Sequence, residues 1–207
     1  SRPLITVWLQ VRVLPGPPTP RGEPGRRPGA VSAHDVSRIF FTWGFETVAI
    51  TRNHLLISRF LRDRGQLPRG GSLLEIGEAE WFCDIPFTEI AADLGGLPSP
   101  EDRAEAERRI HELHLALIPL MRDGKGAQKP AYKIRTDMAK LYYRIFFDSR
   151  DVSTIELKDG CIQQDLNKRF FLKKLFDITV NNGTAEHIFN IANVFYAMHK
   201  HTKPNGA

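Results

Sequence analysis

Residues 175–190, with the sequence LFDITVNNGTAEHIFN, contain the strongest indication of the fold. The segment begins as a short apolar and β-branched run, passes through Asn181-Asn182-Gly183, and takes on a helix-like pattern from about Thr184. A buried strand that breaks at small polar residues and leads into a helix is how an open α/β sheet forms a crevice at the carboxyl ends of its strands. The alternative is an ordinary strand–turn–helix connection that meets no ligand.

The composition is that of an ordinary folded domain. The chain has 207 residues, of which 42% are hydrophobic and 26% are charged, enough for one domain with a substantial core. No apolar run approaches the roughly 18 residues that a membrane-spanning helix needs, so no membrane partner is expected. Cys83 and Cys161 are far apart and form no metal or redox motif, which favours a reduced, cytoplasmic protein.

Most of the formal net charge of +5 lies in the N-terminal segment. Residues 1–30 contain five Arg against one Glu and are rich in Pro and Gly, which predicts a disordered tail before a domain at residues 31–207. The tail's charge of +4 leaves +1 for the other 177 residues. A nearly neutral domain argues against nucleic acid as a partner.

Helical periodicity recurs on both sides of Ser72–Gly77, which is predicted to be a short aliphatic strand ending in a glycine. Before it, residues 35–43 and 53–64 are predicted helices. The second helix has an apolar stripe formed by Leu56, Ile57, Phe60 and Leu61. After it, residues 78–152 are predicted to form a helical insertion or cap, with helices near 88–94, from the cap residue Ser99 to about Met121, and at 132–147.

Strand signals return after this insertion. Residues 153–157, 161–164 and 175–181 are predicted short strands, and a last helix is predicted to run to about Lys200. The side chains of that helix expected to face the core are Ile188, Ile191, Ala192, Phe195 and Met198. 

Acids and amides follow the ends of the predicted strands, at Gly77-Glu78, Glu156, Asp165 and Asn181-Asn182. In a dinucleotide-type sheet, an acid at the end of the second strand accepts hydrogen bonds from ribose hydroxyls. An Asp after the next strand can accept a hydrogen bond from an exocyclic amine of adenine. A glycine at the end of the first strand lets a ligand lie against the backbone.

This order of features resembles the class I S-adenosylmethionine-dependent methyltransferases, in particular bacterial methyltransferase-like proteins. Residues of their fourth-strand motif recur here as Phe176-Asp177, Asn182-Gly183-Thr184, Glu186-His187 and Asn190. Residues 74–78 are similar to the family's first motif in its version with a single Gly, and residues 203–206 to the turn before its fifth strand. The resemblance covers residues 70–207 and implies a Rossmann-like methyltransferase sheet with helices on both faces.

The resemblance also implies S-adenosylmethionine as the cofactor and methyl transfer to a small-molecule or sugar-type acceptor. The implied cofactor-binding residues are Glu75, Gly77, Glu78, Glu156, Asp165, Asn181 and Asn182. Glu156 would hold the ribose hydroxyls and Asp165 the adenine amine. Glu186 and His187 would lie beside the acceptor, with His187 either taking the acceptor's proton or making a structural hydrogen bond.

Two departures from the family pattern qualify this reading. Residues 78–152 are a 75-residue interval, whereas a crossover needs only about a dozen residues. Three further strands would follow Ala207, so the sheet is expected to be incomplete at its C-terminal side. 

Other functions compete with methyl transfer. One is a methyltransferase-like binding domain without turnover, and another is a nicotinamide-dependent oxidoreductase, against which the missing G-x-G-x-x-G argues. His111 and His114 have the i, i+3 spacing of metal ligands, but no third ligand is near them in sequence, so no metal is expected.

Overall fold

The computed structural model describes residues 49–81, 87–204 and 206, all within one compact unit of the chain. The expected disordered tail at 1–30 and the predicted helix at 35–43 lie outside these residues. Among the described residues, no helix combines the length and apolarity that crossing a bilayer requires.

The fold is α/β, with helices and two small parallel sheets. The strands are β1 (Ala49–Ile50), β2 (Ser72–Ile76), β3 (Glu80–Trp81), β4 (Asp151–Ile155) and β5 (Ile178–Asn181). The helices are α1 (Arg52–Asp63), α2 (Phe87–Ala91), α3 (Pro100–Arg122), α4 (Lys129–Phe147) and α5 (Ile191–His201). Short 3₁₀ turns occur at Leu94–Gly96 and Ala185–His187.

The larger sheet has the order β4-β2-β5, with all three strands parallel. Ile76 at the end of β2 lies beside Ile155 and Asn181, so the carboxyl ends of the three strands meet at one edge. Isolated bridges continue this order outward, from Ile155 to Ile162 on one side and from Phe176 to Thr202 on the other. 

The central strand β2 confirms the short strand predicted before Gly77, and it is buried along its whole length. Leu73 packs in a core with α1, α3 and α4, whereas Leu74 and Ile76 pack in a second core with Phe176 and Val194. Successive side chains of a strand point to opposite faces of the sheet. The aliphatic side chains on both faces of β2 therefore reflect cores on both sides of the sheet.

The two long helices predicted within the insertion are confirmed as α3 and α4. Ser99 caps α3 by accepting a hydrogen bond from the Asp102 N–H at 3.0 Å. The insertion is not wholly helical, however, because β3 lies within it and pairs with β1 in a second parallel sheet.

The apolar faces expected for α1 and α5 meet the core only in part: Leu61 of α1 and Phe195 and Met198 of α5 pack against it. In α1, Leu56 and Phe60 are 48% and 52% exposed, and the buried side chains are His54, Leu55 and Ser58. The polar face turns inward because Ser58 Oγ lies 2.5 Å from the buried Tyr142 hydroxyl of α4. 

In α5, Ile191 and Ala192 are exposed, while Asn193, Val194, Ala197 and His201 are buried. Polar side chains face inward here because they bond to the loop after β4. Asn193 Nδ2 donates to the carbonyl oxygens of Leu166 and Lys168 at 2.8 and 2.7 Å. 

Three predicted boundaries also change. β4 ends at Ile155, two residues earlier than predicted, and the strand predicted at 161–164 is reduced to the bridge at Ile162. The helix expected from Thr184 is only a 3₁₀ turn. The α-helix begins at Ile191, where Asn190 Oδ1 accepts a hydrogen bond from the Asn193 N–H at 3.3 Å.

Burial of His54 predicts a pH-dependent stability. His54 Nδ1 accepts a hydrogen bond from the Thr51 N–H at 3.1 Å, and burial lowers the pKa of His54 from 6.5 to about 4. The unfolded chain then binds a proton that the folded chain does not, between those two pH values. We expect the free energy of unfolding to have its full His54 contribution above pH 6.5 and to fall by about 3 kcal/mol as the pH drops to 4. Urea denaturation across this pH range measures the change.

The matched control is His54→Gln, which keeps an acceptor for the N-terminal N–H of α1 but cannot titrate. Its stability should lack the His54 contribution between pH 6.5 and 4. A variant with the same pH profile as the natural chain would assign that profile to other groups.

Candidate functional site

The loops after β2 and β5 touch each other at Gly77. Its N–H donates to the Ile155 carbonyl at 2.9 Å, and its φ of +75° lies in the left-handed region. A Cβ at this position would overlap the Thr184 hydroxyl and lie 2.7 Å from the Thr184 Cβ. Only a glycine therefore allows these two loops to approach so closely.

The loop after β5 is held by its own asparagine. Asn181 Oδ1 accepts hydrogen bonds from the backbone N–H groups of Thr184 and Ala185, at 3.2 and 3.0 Å. This is an Asx-type turn, in which a side chain replaces a backbone acceptor. Within the described residues, the buried Thr184 Oγ1 has no hydrogen-bond partner.

Glu75 is the centre of a buried polar network beneath these loops. Its side chain is 1% exposed and accepts hydrogen bonds from the Ala79 N–H at 3.1 Å, the Thr154 hydroxyl at 2.9 Å and the Tyr143 hydroxyl. Asn182 Nδ2 donates to the same Tyr143 oxygen at 2.5 Å. The network therefore connects the loops after β2 and β5 to α4 of the insertion.

Burial dominates the ionisation of this network. It raises the pKa of Glu75 above its ordinary value, although the hydrogen bonds from Tyr143, Ala79 and Thr154 oppose that shift. Burial and the neighbouring Glu75 carboxyl raise the pKa of Tyr143 well above its ordinary value. The Tyr143 hydroxyl therefore keeps its proton at neutral pH and donates a hydrogen bond to Glu75.

Glu78 is paired on the other side of the β2 loop. It forms an ion pair with Lys158 and accepts a hydrogen bond from the Tyr132 hydroxyl at 2.8 Å. Burial, followed by the charges of Glu80 and Glu156, raises the pKa of Tyr132 to about 12, and burial lowers the pKa of Lys158. The charge of Glu78 is thus compensated locally.

A cavity of about 340 Å³ opens along the outer edge of β4. Its lining includes Glu78, Lys140, Thr154 and Cys161. Of the residues predicted to bind a cofactor, only Glu78 is among the lining residues.

The remaining predicted site residues lie on loops. Glu156 directly follows β4, its N–H donates to the Ile162 carbonyl at 3.2 Å, and its Oε1 accepts from the Leu157 N–H at 2.9 Å. Glu186 and His187 are exposed in the 3₁₀ turn after β5, where the His187 N–H donates to the Thr184 carbonyl at 3.0 Å. 

Asp165 lies farther along the chain and has partners of its own. Its Oδ1 accepts from the Asn167 N–H at 2.9 Å, and Lys168 Nζ lies 3.3 Å from its other oxygen. These contacts hold the pKa of Asp165 below its ordinary value. 

The structure joins Glu75 and Asn182 through Tyr143, whose role the sequence analysis missed, and packs Gly77 against Thr184. The signal for Tyr143 was its place on the apolar face of a helix, because a buried tyrosine hydroxyl needs a hydrogen-bond partner. 

Comparison with known proteins adds no assignment to this geometry. No family model matches the chain, and neither a curated protein nor a solved structure was found to match it. Among the described residues, no group of three or more His, Cys, Asp or Glu side chains could hold a metal ion. The function is therefore argued from the site itself.

Proposed function

We propose that this protein binds S-adenosylmethionine at the carboxyl edge of β4, β2 and β5 and transfers its methyl group to a small-molecule or sugar-type acceptor. The observation that carries the proposal is the strand order β4-β2-β5. The chain passes from β2 to β4 on one side of it and later to β5 on the other side, which makes a topological switch point. Open parallel sheets bind ligands in the crevice outside such a point.

The same order supports a Rossmann-like methyltransferase sheet. The bridges at Ile162 and Thr202 lie where the strands outside β4 and β5 would run in such a sheet. 

The residues at this edge fit the proposed cofactor. Gly77 has a left-handed backbone and no side chain. Beside it, the buried Thr184 hydroxyl has no hydrogen-bond partner among the described residues. Both suit the polar amino-acid end of the cofactor. The 340 Å³ cavity along β4, with Glu78 among its lining residues, falls within the range of about 300–1,000 Å³ found for small-molecule sites. 

The cofactor would supply an activated methyl group on a sulfonium, and the protein's residues would do the positioning. Glu156, directly after β4, would accept hydrogen bonds from the ribose hydroxyls. Asp165 would accept a hydrogen bond from the exocyclic amine of adenine. Asn181 would keep the β5 loop folded beside the donor through its Asx-type turn. Alignment of donor and acceptor can supply much of the rate enhancement in such a reaction.

His187 is the proposed acceptor-side base. It is exposed in the 3₁₀ turn after β5, next to Glu186, so an acceptor could reach it from solvent. A neutral imidazole can take the acceptor's proton as the new bond forms. 

A nicotinamide dinucleotide fits the same edge less well. Its pyrophosphate needs a glycine-rich turn that opens directly into a helix N-terminus. Here Gly77 is followed by Glu78 and by β3 instead of a helix. 

Calorimetric titration with S-adenosylhomocysteine tests the proposal. We expect binding that Glu156→Gln weakens about tenfold or more, because the variant replaces charge-assisted hydrogen bonds to the ribose with neutral ones. Glu107→Gln, at an exposed position of α3, is the matched control and should bind like the natural chain.

Three outcomes separate the alternatives. Binding of NAD without S-adenosylhomocysteine would favour the oxidoreductase. Binding that survives Glu156→Gln unchanged would retain the cofactor and reject the site. If the protein binds S-adenosylhomocysteine but forms none from S-adenosylmethionine with any hydroxyl or amine acceptor, a binding domain without turnover would be favoured.

A further inference from the structure

Positive charge is concentrated in one part of residues 31–207, although that domain is nearly neutral overall. Residues 166–174 and 188–203, called the basic strip below, contain no Asp or Glu. Their six cationic residues are Lys168, Arg169, Lys173, Lys174, Lys200 and Lys203. Since residues 31–207 carry +1 in total, the rest of that domain carries −5.

The fold brings the two segments of the basic strip together. His201 Nε2, on α5, accepts a hydrogen bond from the Leu172 N–H at 2.8 Å. The ring of Phe170 stacks on His201 with centroids 5.3 Å apart. With the two bonds from Asn193 to the same loop, these contacts hold residues 166–172 along α5.

A groove of about 460 Å³ lies in this surface. It is lined by Arg169, Phe170, Phe171, Tyr196 and Lys200. Phe171 is 73% exposed and Tyr196 is 42% exposed, so a partner in the groove could contact both rings. The Arg169 guanidinium and the Lys200 ammonium lie 5.1 and 5.6 Å from the centre of the Tyr196 ring.

The cations of the groove keep their charge available for a partner. Lys168, Lys174 and Lys203 form ion pairs with Asp165, Asp151 and Asp177. Within the described part of the chain, Arg169 and Lys200 form no ion pair, and their contacts are with the aromatic ring. An anion that entered the groove would therefore not compete with a carboxylate of the described residues.

We propose that this groove binds single-stranded nucleic acid, with the exposed Phe171 ring stacking on a base and Arg169 and Lys200, which lie over the Tyr196 ring, meeting phosphates. Exposed aromatic rings interleaved with cations are the elements that bind single strands without sequence preference. A duplex keeps its base faces inside the stack, so it offers these rings no partner. The inference is independent of the proposed methyl transfer.

An anionic membrane fits the groove less well. Tyr196 could enter the hydrocarbon only together with the cations that lie over its ring, and buried charge in a bilayer is costly. Charge complementarity with stacking therefore favours nucleic acid.

Fluorescence anisotropy of a labelled deoxythymidine oligonucleotide of about 15 nucleotides, with the full chain, tests the proposal. We expect binding that weakens with salt, and Phe171→Ala should weaken it about fivefold or more, equivalent to about 1 kcal/mol. Arg169→Gln should lower the slope of log affinity against log salt by about 0.7. The arginines of residues 1–30 are present in every variant, so these differences report the groove.

The matched controls are Leu115→Ala and Arg108→Gln, at exposed positions of α3, which should leave affinity and salt slope unchanged. Affinity that Phe171→Ala does not change, or a duplex of equal length that binds as tightly, would overturn the proposal. The proposal would also be overturned if the natural chain bound phosphatidylserine vesicles but not the oligonucleotide, and if Phe171→Ala abolished the vesicle binding.

Discussion

Replacing Gly77 with Ala is expected to lower the free energy of unfolding by about 3 kcal/mol, because the new Cβ has no space and an unfavourable backbone. At a φ of +75° an L side chain costs about 1 kcal/mol or more. The Cβ would also overlap the Thr184 hydroxyl, and overpacking of this kind costs about 1–3 kcal/mol. Chemical denaturation of the two chains measures the sum.

Gly70→Ala separates these two contributions. Gly70 has a similar φ of +80°, but a Cβ there would meet nothing within 4 Å. This control should lose only the backbone part, about 1 kcal/mol. Equal losses in the two variants would mean that the loops after β2 and β5 do not pack at Gly77.

Glu75→Ala is expected to destabilise the protein by about 4 kcal/mol, the largest effect among these variants. The change leaves the Tyr143 hydroxyl, the Thr154 hydroxyl and the Ala79 N–H without their acceptor. Each buried polar group left unpaired costs about 1–3 kcal/mol, although neighbouring groups partly rearrange. Urea denaturation at neutral pH measures the loss.

Glu75→Gln is the conservative control, since it keeps the shape and one acceptor oxygen. Burial raises the pKa of Glu75, so the folded chain holds this proton to a higher pH than the unfolded chain. The associated stability is present below the ordinary pKa of 4.5 and is lost as the pH rises through the folded value. Glu75→Gln should lack that dependence; a loss as large as that of Glu75→Ala would contradict the hydrogen-bond explanation.

Residues 175–190, the segment that predicted the fold, form different elements in the structure from those expected. Its strand is β5, but Asn181 and Asn182 bond to protein groups, and the α-helix begins at Ile191 instead of near Thr184. The pattern of small polar residues after a strand predicts a turn. It does not distinguish a turn that its own side chains satisfy from one that a ligand satisfies.

Sequence alone determined the elements whose cause is local. The aliphatic strand β2, the Ser99 cap of α3 and the long helices α3 and α4 each depend on residues within a few turns or one strand. These features were predicted correctly because no distant partner competes with them.

Only the tertiary structure decided which polar side chains turn inward and where charge accumulates. Tyr143 meets Glu75 across 68 residues of chain and Asn182 across 39, while Asn193 turns α5 toward the loop at Leu166. The basic strip forms because this loop is bonded along α5. Such contacts depend on which segments the sheet brings together, and a buried polar group goes wherever its hydrogen bonds can be satisfied.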